Sequence, residues 1–441
     1  MKNKSILLAG LAVISLASCK PNLDTGEASA GPLDLSSYVA VGNSLTAGFA
    51  DGSLYLSGQQ NSYPAILAQQ FRIVGGGDFK IPYLKNNYGY PNRKYELRIT
   101  VPCSGPPALG PQLEDAAKQA ASVAENAASI VSGGPYNNMG VPGIRAIDFL
   151  FPIYYQLNPY SKRFFSGPAL SEINRAKATF FTAWIGNNDV LAYATNGGIG
   201  KGSGGGIADQ NSISSIPLFS MGVDSVLNRM TAGGARGAVI NIPDVTSIPY
   251  FTTVPAMGLK VSADTAALLN AAYGALGMHF TAGYNYWIIA DTSIPGPYKF
   301  RQMKSGELLL LTLPQDSLRC KGWGSLKPIP AEYVLDATEI NNVKVATDAF
   351  NAILKAAADV RGLAYVDINT YFKSFQTGVT FNGVTYTTVF ASGGTFSLDG
   401  IHLTPRGYAF AANEMIRTIN RYYKASIPTV DVNSYDGVKF P

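Results

Sequence analysis

The sequence predicts an α/β protein built on one parallel sheet with helices over both faces. Apolar runs near residues 38, 180, 240 and 365 alternate with segments of helical periodicity through the whole body. The run Thr179 to Ile185 carries no charge, as a strand covered on both faces requires. The 441 residues are 46% hydrophobic, enough to bury a large core.

Taken in order, Tyr38 to Val41 reads as a buried strand. It stops at Gly42, and Ser44 follows among small residues. Ser62 to Phe71 has helical spacing with Pro64 near its start. Residues 78–111 are rich in Pro, Gly, Asn and Tyr and read as an insertion or flap with one strand-like run, Tyr95 to Val101. Within it, Phe79 to Tyr83 is the candidate for the next sheet strand. The Ala-rich stretch Gln112 to Val131 reads as a helix stopped by Gly133-Gly134. Tyr136 to Gly143 reads as a tight turn feeding the periodic run Ile144 to Tyr155, and Ser171 to Lys177 as a short helix.

The strand Thr179 to Ile185 ends in Gly186-Asn187-Asn188-Asp189. Residues 197–213 form a second insertion. Its Gly197 to Gly206 stretch has no phosphate-binding pattern and reads as a flexible loop. Ile216 to Met230 is a helix, and Gly237 to Ile242 a strand stopped by Pro243, which leaves Asp244 at a strand end. Residues 245–335 lose the alternation and read as one long insertion with many aromatics. Ile340 to Val360 is an amphipathic helix, and Ala364 to Ile368 the last strand. Thr404-Pro405 opens the final helix, through about Tyr423, with Thr as N-cap and Pro at N1. Residues 427–441 are read as a tail.

Charged residues are only 14%, against ~25% in an average soluble protein. The formal net charge of +5 includes Lys2 and Lys4, and no dense basic run exists, so a nucleic-acid partner is not implied. Those two lysines precede a short apolar stretch, Ile6 to Leu16, and then Leu16-Ala17-Ser18-Cys19. This resembles a bacterial lipoprotein signal, with residues 1–18 removed and Cys19 lipidated. Residues 19–35 would be a flexible tether and the body a soluble domain anchored in the bacterial cell envelope. Cys103 and Cys320 can pair outside the cytosol or remain free thiols. With two histidines in all, a His-rich metal site is excluded.

A serine at the C-terminal edge of an open α/β sheet can be a nucleophile if a histidine reaches it. His279 lies among apolar residues and reads as a packed histidine. His402 follows Asp399 by three residues in a loop before the last helix. A carboxylate in a bend of that length can hold the imidazole Nδ1 and leave Nε2 for Ser44. Acyl transfer also needs donors for an oxyanion. Candidates are the Ser44 amide, the backbone N–H of Gly140 and the Asn188 side chain.

At these positions the chain resembles the SGNH (GDSL-type) hydrolases. Gly42-Asn43-Ser44-Leu45 is similar to their first block, with Asn43 where the usual motif has Asp. Asn138-Met139-Gly140-Val141-Pro142-Gly143, Gly186-Asn187-Asn188-Asp189 and Asp399-Gly400-Ile401-His402 are similar to the others, in the same order. The resemblance implies a flavodoxin-like three-layer α/β/α sandwich over about residues 36–426. It implies Ser44 as nucleophile, His402 as base, Asp399 as its orienting acid, and Ser44, Gly140 and Asn188 as the oxyanion hole, with no cofactor and no metal. The activity implied is hydrolysis of a small-molecule or lipid ester. The same scaffold also serves polysaccharide O-deacetylation and acyl transfer, and a non-catalytic lipoprotein that only binds ligands is the reading from a different class.

Overall fold

The computed structural model describes residues 27–441. The signal segment, Cys19 and the first part of the tether lie outside the described residues. Five strands form one parallel sheet: β1 (Tyr38–Gly42), β2 (Asn138–Gly140), β3 (Phe180–Trp184), β4 (Arg236–Ile240) and β5 (Ala364–Val366), in spatial order β5-β4-β3-β1-β2. Helices Tyr63–Ile73 and Pro405–Tyr423 pack on each other over one face, and Ile216–Thr231, Ala337–Asp359 and Ala169–Ala176 form the other layer. The result is the expected three-layer sandwich.

The central strands β1 and β3 are buried along their whole length, because their side chains enter a helix layer on either face. Phe219 and Phe350 stack with ring centroids 3.9 Å apart where two helices of one layer meet. Each such fully buried aromatic contributes on the order of 2–3 kcal/mol. The predicted cap is present, Thr404 on Pro405–Tyr423 with Pro405 at its start, and Ser62 caps Tyr63–Ile73 in the same way.

Residues 245–335 are an insertion with a second hydrophobic core, which includes Leu259, Phe280, Ile289, Met303 and Leu313. Short antiparallel pairs frame it, Leu259–Val261 with Gly283–Asn285 and Ile288–Ala290 with Phe300–Gln302. The insertion at 78–111 carries a hairpin of Tyr95–Thr100 and Ala108–Leu113. A disulfide between Cys103 and Cys320 ties the tip of this hairpin to the helix Gln315–Cys320 of the larger insertion. No helix among the described residues is long and apolar enough to cross a membrane.

The structure departs from the sequence reading at several places. The strand next to β1 is Asn138–Gly140, read as a turn, whereas Phe79 to Tyr83 forms no strand. A three-residue edge strand with Asn and Gly has neither the length nor the residue types that mark a strand. The glycine-rich loop is held in place: buried Arg145, paired with Asp148, donates to the carbonyls of Gly206, Ile207 and Asp209. Residues 29–35 and 427–432, read as tether and tail, pack on the body. Ser29 pairs with Ser426, and Leu33, Leu35, Ile427 and Val432 are buried.

Candidate active site

Strand β1 ends at Gly42, where only glycine fits, since a Cβ there would fall on the Thr46 hydroxyl and the Trp184 carbonyl. The chain then makes one helical turn, Ser44–Ala47, closed by Gly48 at φ +82. Asn43 caps that turn, its Oδ1 accepting from the Leu45 N–H at 3.0 Å. Its Nδ2 donates to Asn187 Oδ1 at 2.9 Å, which links the Ser44 turn to the loop after β3. Ser44 is thereby fixed at the C-terminal edge of the sheet, where open α/β folds place ligands.

His402 Nε2 lies 2.8 Å from Ser44 Oγ, and His402 Nδ1 lies 2.8 Å from Asp399 Oδ2. The other atoms around Asp399 fix its carboxylate. Oδ1 accepts from the N–H groups of Ile401 and His402, each at 2.8 Å, and Oδ2 also accepts from Gly52 N–H at 2.8 Å. Burial alone would raise the Asp399 pKa, but the His402 charge and these donors outweigh it and hold the group well below the usual carboxylate range. Asp399 is therefore ionised, and the imidazole presents Nδ1–H to it and Nε2 to the serine. Phe49 lies against the His402 ring with centroids 4.6 Å apart, and Tyr408 donates to the Phe49 carbonyl at 2.7 Å.

A residue that sequence reasoning missed braces this loop. Asp51 accepts from Leu398 N–H at 3.0 Å and from the Tyr55 hydroxyl at 2.7 Å, and its own N–H donates to Ser397 Oγ at 2.9 Å. Burial pushes its pKa up. It stands seven residues after Ser44 in no motif, so no local signal marks it. Tyr250 N–H donates to the Gly400 carbonyl at 2.9 Å, so the large insertion also supports the loop.

Of the three expected oxyanion donors, two stand at the site with capacity to spare. The Ser44 N–H donates to no acceptor among the described residues. Asn188 Nδ2 donates to the Ile144 carbonyl at 2.9 Å and retains a second N–H. Gly140 is a correction. Its N–H is spent on Asn138 Oδ1 at 2.9 Å, and its missing Cβ makes room for the Thr46–Ala47 backbone. The N–H of the neighbouring Gly143 donates to no acceptor among the described residues. It sits at φ +85 in the turn Val141-Pro142-Gly143-Ile144, closed by Ile144 N–H to Val141 O at 3.2 Å. Asn158 Nδ2 donates to the Pro142 carbonyl at 2.8 Å. That fixes one side of the Pro142–Gly143 peptide and so the direction of the Gly143 N–H on the other. Proline followed by glycine is the signature of this turn type and is the signal that could have found it.

Asp244 lines a small cavity beside Ser44, and its Oδ1 also accepts from Thr246, so it is both wall and turn residue. His279 is a second correction: it is exposed on the insertion, because Met278 and Phe280 on either side turn inward. Cys19 lies outside the described residues.

The model of the GDSL-like Lipase/Acylhydrolase family matches residues 38–415 of this chain. Among solved structures, the chain is similar to an extracellular lipase from Streptomyces rimosus, at 12% sequence identity and a TM-score of 0.34, over 86% of this chain and 98% of that one. No curated protein matches it.

Proposed function

Since this chain belongs to the GDSL-like lipase/acylhydrolase family, and is thereby an ester hydrolase, we propose that it works through an acyl-enzyme on Ser44. The observation that carries this is the single line of hydrogen bonds from Ser44 Oγ through His402 to Asp399, 2.8 Å at each step. Ser44 Oγ attacks the ester carbonyl carbon while His402 Nε2 takes its proton. The negative charge on the carbonyl oxygen is met by the N–H of Ser44, the side chain of Asn188 and, in place of Gly140, the N–H of Gly143. As the C–O bond breaks, His402 returns the proton to the leaving alcohol. Water, activated by the same imidazole, then attacks the acyl-enzyme and releases the acid and free Ser44. Asp399 stays ionised throughout and stabilises the imidazolium that forms in each half.

Cys19 is the lipid attachment site in this reading, which places the enzyme on the bacterial cell envelope. The charged start, apolar stretch and small residues before Cys19 support it. Labelling with a fatty-acid precursor tests it: label that survives in Cys19→Ala rules the anchor out.

The catalytic reading is tested by hydrolysis of p-nitrophenyl esters from C2 to C16. Ser44→Ala and His402→Ala are each expected to lower kcat by at least ~10³-fold with substrate binding kept. Turnover unchanged in Ser44→Ala overturns it.

A further inference from the structure

Two cavities of very different size meet at the loop that carries His402. One, of about 40 Å³, is bordered by Ser44, Asn188 and His402 and walled by apolar side chains such as Leu191, Val245 and Phe372. The other, of about 1000 Å³, lies across the Leu398–Ile401 loop, and Ile401 borders both. The far walls of the large cleft come from the two insertions: Leu109 of the hairpin, Trp287, and Arg319 of the helix Gln315–Cys320. The Cys103–Cys320 disulfide joins the hairpin wall to the helix wall.

We infer that the ester taken by this site pairs a short acyl group with a large, negatively charged alcohol. This rests on the reading of Ser44 as nucleophile. A single water needs ~10–15 Å³ of such volume, so the small cavity holds about three water-sized groups, the size of an acyl chain of two to four carbons. The large cleft reaches the upper end of the ~300–1,000 Å³ range of small-molecule sites. The assignment of halves follows from the chemistry. The leaving oxygen must be protonated by His402, which borders the small cavity together with Ser44 and Asn188, so the alcohol leaves past Ile401, the residue that also borders the large cleft.

The charge follows from the lining. Lys260 and Arg319 line the cleft, Lys260 Nζ standing 5.5 Å from the centroid of the Tyr284 ring, and neither is ion-paired among the described residues. The one carboxylate in the lining, Asp399, is saturated by donors from Gly52, Ser397, Ile401 and His402. The two cations outnumber this one hydrogen-bonded carboxylate, which leaves the lining net positive toward anionic groups on the alcohol.

The test uses the full chain in detergent with Ser44→Ala as control. On p-nitrophenyl esters, kcat/KM is expected to fall at least about 100-fold between C4 and C8. Leu191→Ala, which widens the small cavity, is expected to move the optimum to longer chains. With the acyl group held at acetyl, a sulfonated naphthyl ester is expected to outperform 1-naphthyl acetate by about tenfold. The double variant Lys260→Ala, Arg319→Ala is expected to remove that advantage through KM. Equal turnover of C8 and C2 esters, or no advantage of the sulfonated ester, overturns the inference while leaving the nucleophile intact. Turnover that survives in Ser44→Ala takes both readings down together.

Discussion

Asn43 is the one departure from the usual motif, and its consequences can be worked out bond by bond. The side chain is 1% exposed and makes two hydrogen bonds, from Leu45 N–H at 3.0 Å and to Asn187 Oδ1 at 2.9 Å. Asn43→Ala removes the cap of the Ser44 turn, a loss of about 1 kcal/mol. It also leaves the buried Asn187 oxygen without a donor, which costs about 1–3 kcal/mol. The sum is about 2–4 kcal/mol. For a body of this size, at ~2.1 cal/mol/K per residue, that is a fall in Tm of roughly 2–5 °C. The variant also uncouples the Ser44 turn from the loop that carries Asn188, so kcat is expected to fall about 10- to 100-fold. Asn43→Asp behaves differently. The carboxylate still accepts from Leu45, and Asn187, whose Nδ2 donates to nothing among the described residues, can turn its amide to donate. Its Tm and kcat are expected to stay near wild type. The assays are calorimetric unfolding and p-nitrophenyl acetate turnover on all three proteins. An Ala variant that matches wild type in both, or an Asp variant that falls as far as Ala, refutes the reasoning.

Asp399→Asn is expected to lower kcat by ~10³- to 10⁴-fold with the fold retained, because the imidazole loses the charge that stabilises its protonated form; single-turnover kinetics checks it. Asn158→Ala frees the Pro142 carbonyl and with it the Gly143 peptide, so kcat is expected to drop about tenfold with KM unchanged, whereas a merely structural role would lower Tm and leave kcat alone. Buried Asp189 has its pKa raised by burial to about 7 from 3.8. Between those values the folded chain binds the proton more tightly than the unfolded chain, so its contribution to stability is complete below pH 3.8 and is lost as pH rises to about 7. Asp189→Asn should therefore gain on wild type, by on the order of 4 kcal/mol at pH 8 and by little at pH 4, in urea midpoints measured across that range. The Cys103–Cys320 bridge closes a separation of 217 residues, so replacing both cysteines by serine should cost up to ~5 kcal/mol, and dithiothreitol on the wild type should reproduce the loss in the unfolding midpoint.

The central sheet was legible because β1, β3 and β4 are uncharged or nearly uncharged runs that enter a core on both faces, a pattern with no competing explanation. The edge strand β2 was not, since three residues that pair on one side only need no apolar run. The Ser44–His402–Asp399 line was legible because four sequence blocks in order resemble the SGNH hydrolases; a carboxylate three residues before a histidine is by itself a weak signal. The oxyanion glycine was not. Gly140 and Gly143 sit in one block, and only the hydrogen bond from Gly140 to Asn138 shows which N–H is already spent. His279 reads as packed because its neighbours are apolar, yet those neighbours turn inward and the imidazole faces out. Asp51 was invisible, as its role depends on Leu398, far away in sequence.

The N-terminal segment bears on the substrate through its place on the body. Ser37 bonds to Thr179 just before β1 and β3 begin, the Pro32 carbonyl accepts from Arg236 at the first residue of β4, and Ser29 pairs with Ser426. Residues 29–37 thus run along the N-terminal edge of the sheet, and Ser44 stands at the opposite edge. With Cys19 as the anchor, the eight residues to Glu27 reach at most ~28 Å when fully extended. A body of this length has a radius of gyration of about 22 Å, so its diameter is well beyond that reach. On that proposed anchor, the tether is too short to carry the far edge of the sheet round to the bilayer. The ester must then arrive from the aqueous side. A large charged alcohol partitions to that side, and a long-chain lipid of the anchoring membrane does not. On the proposed anchor at Cys19, the length of the tether and the sizes of the two cavities select independently against a membrane lipid as substrate.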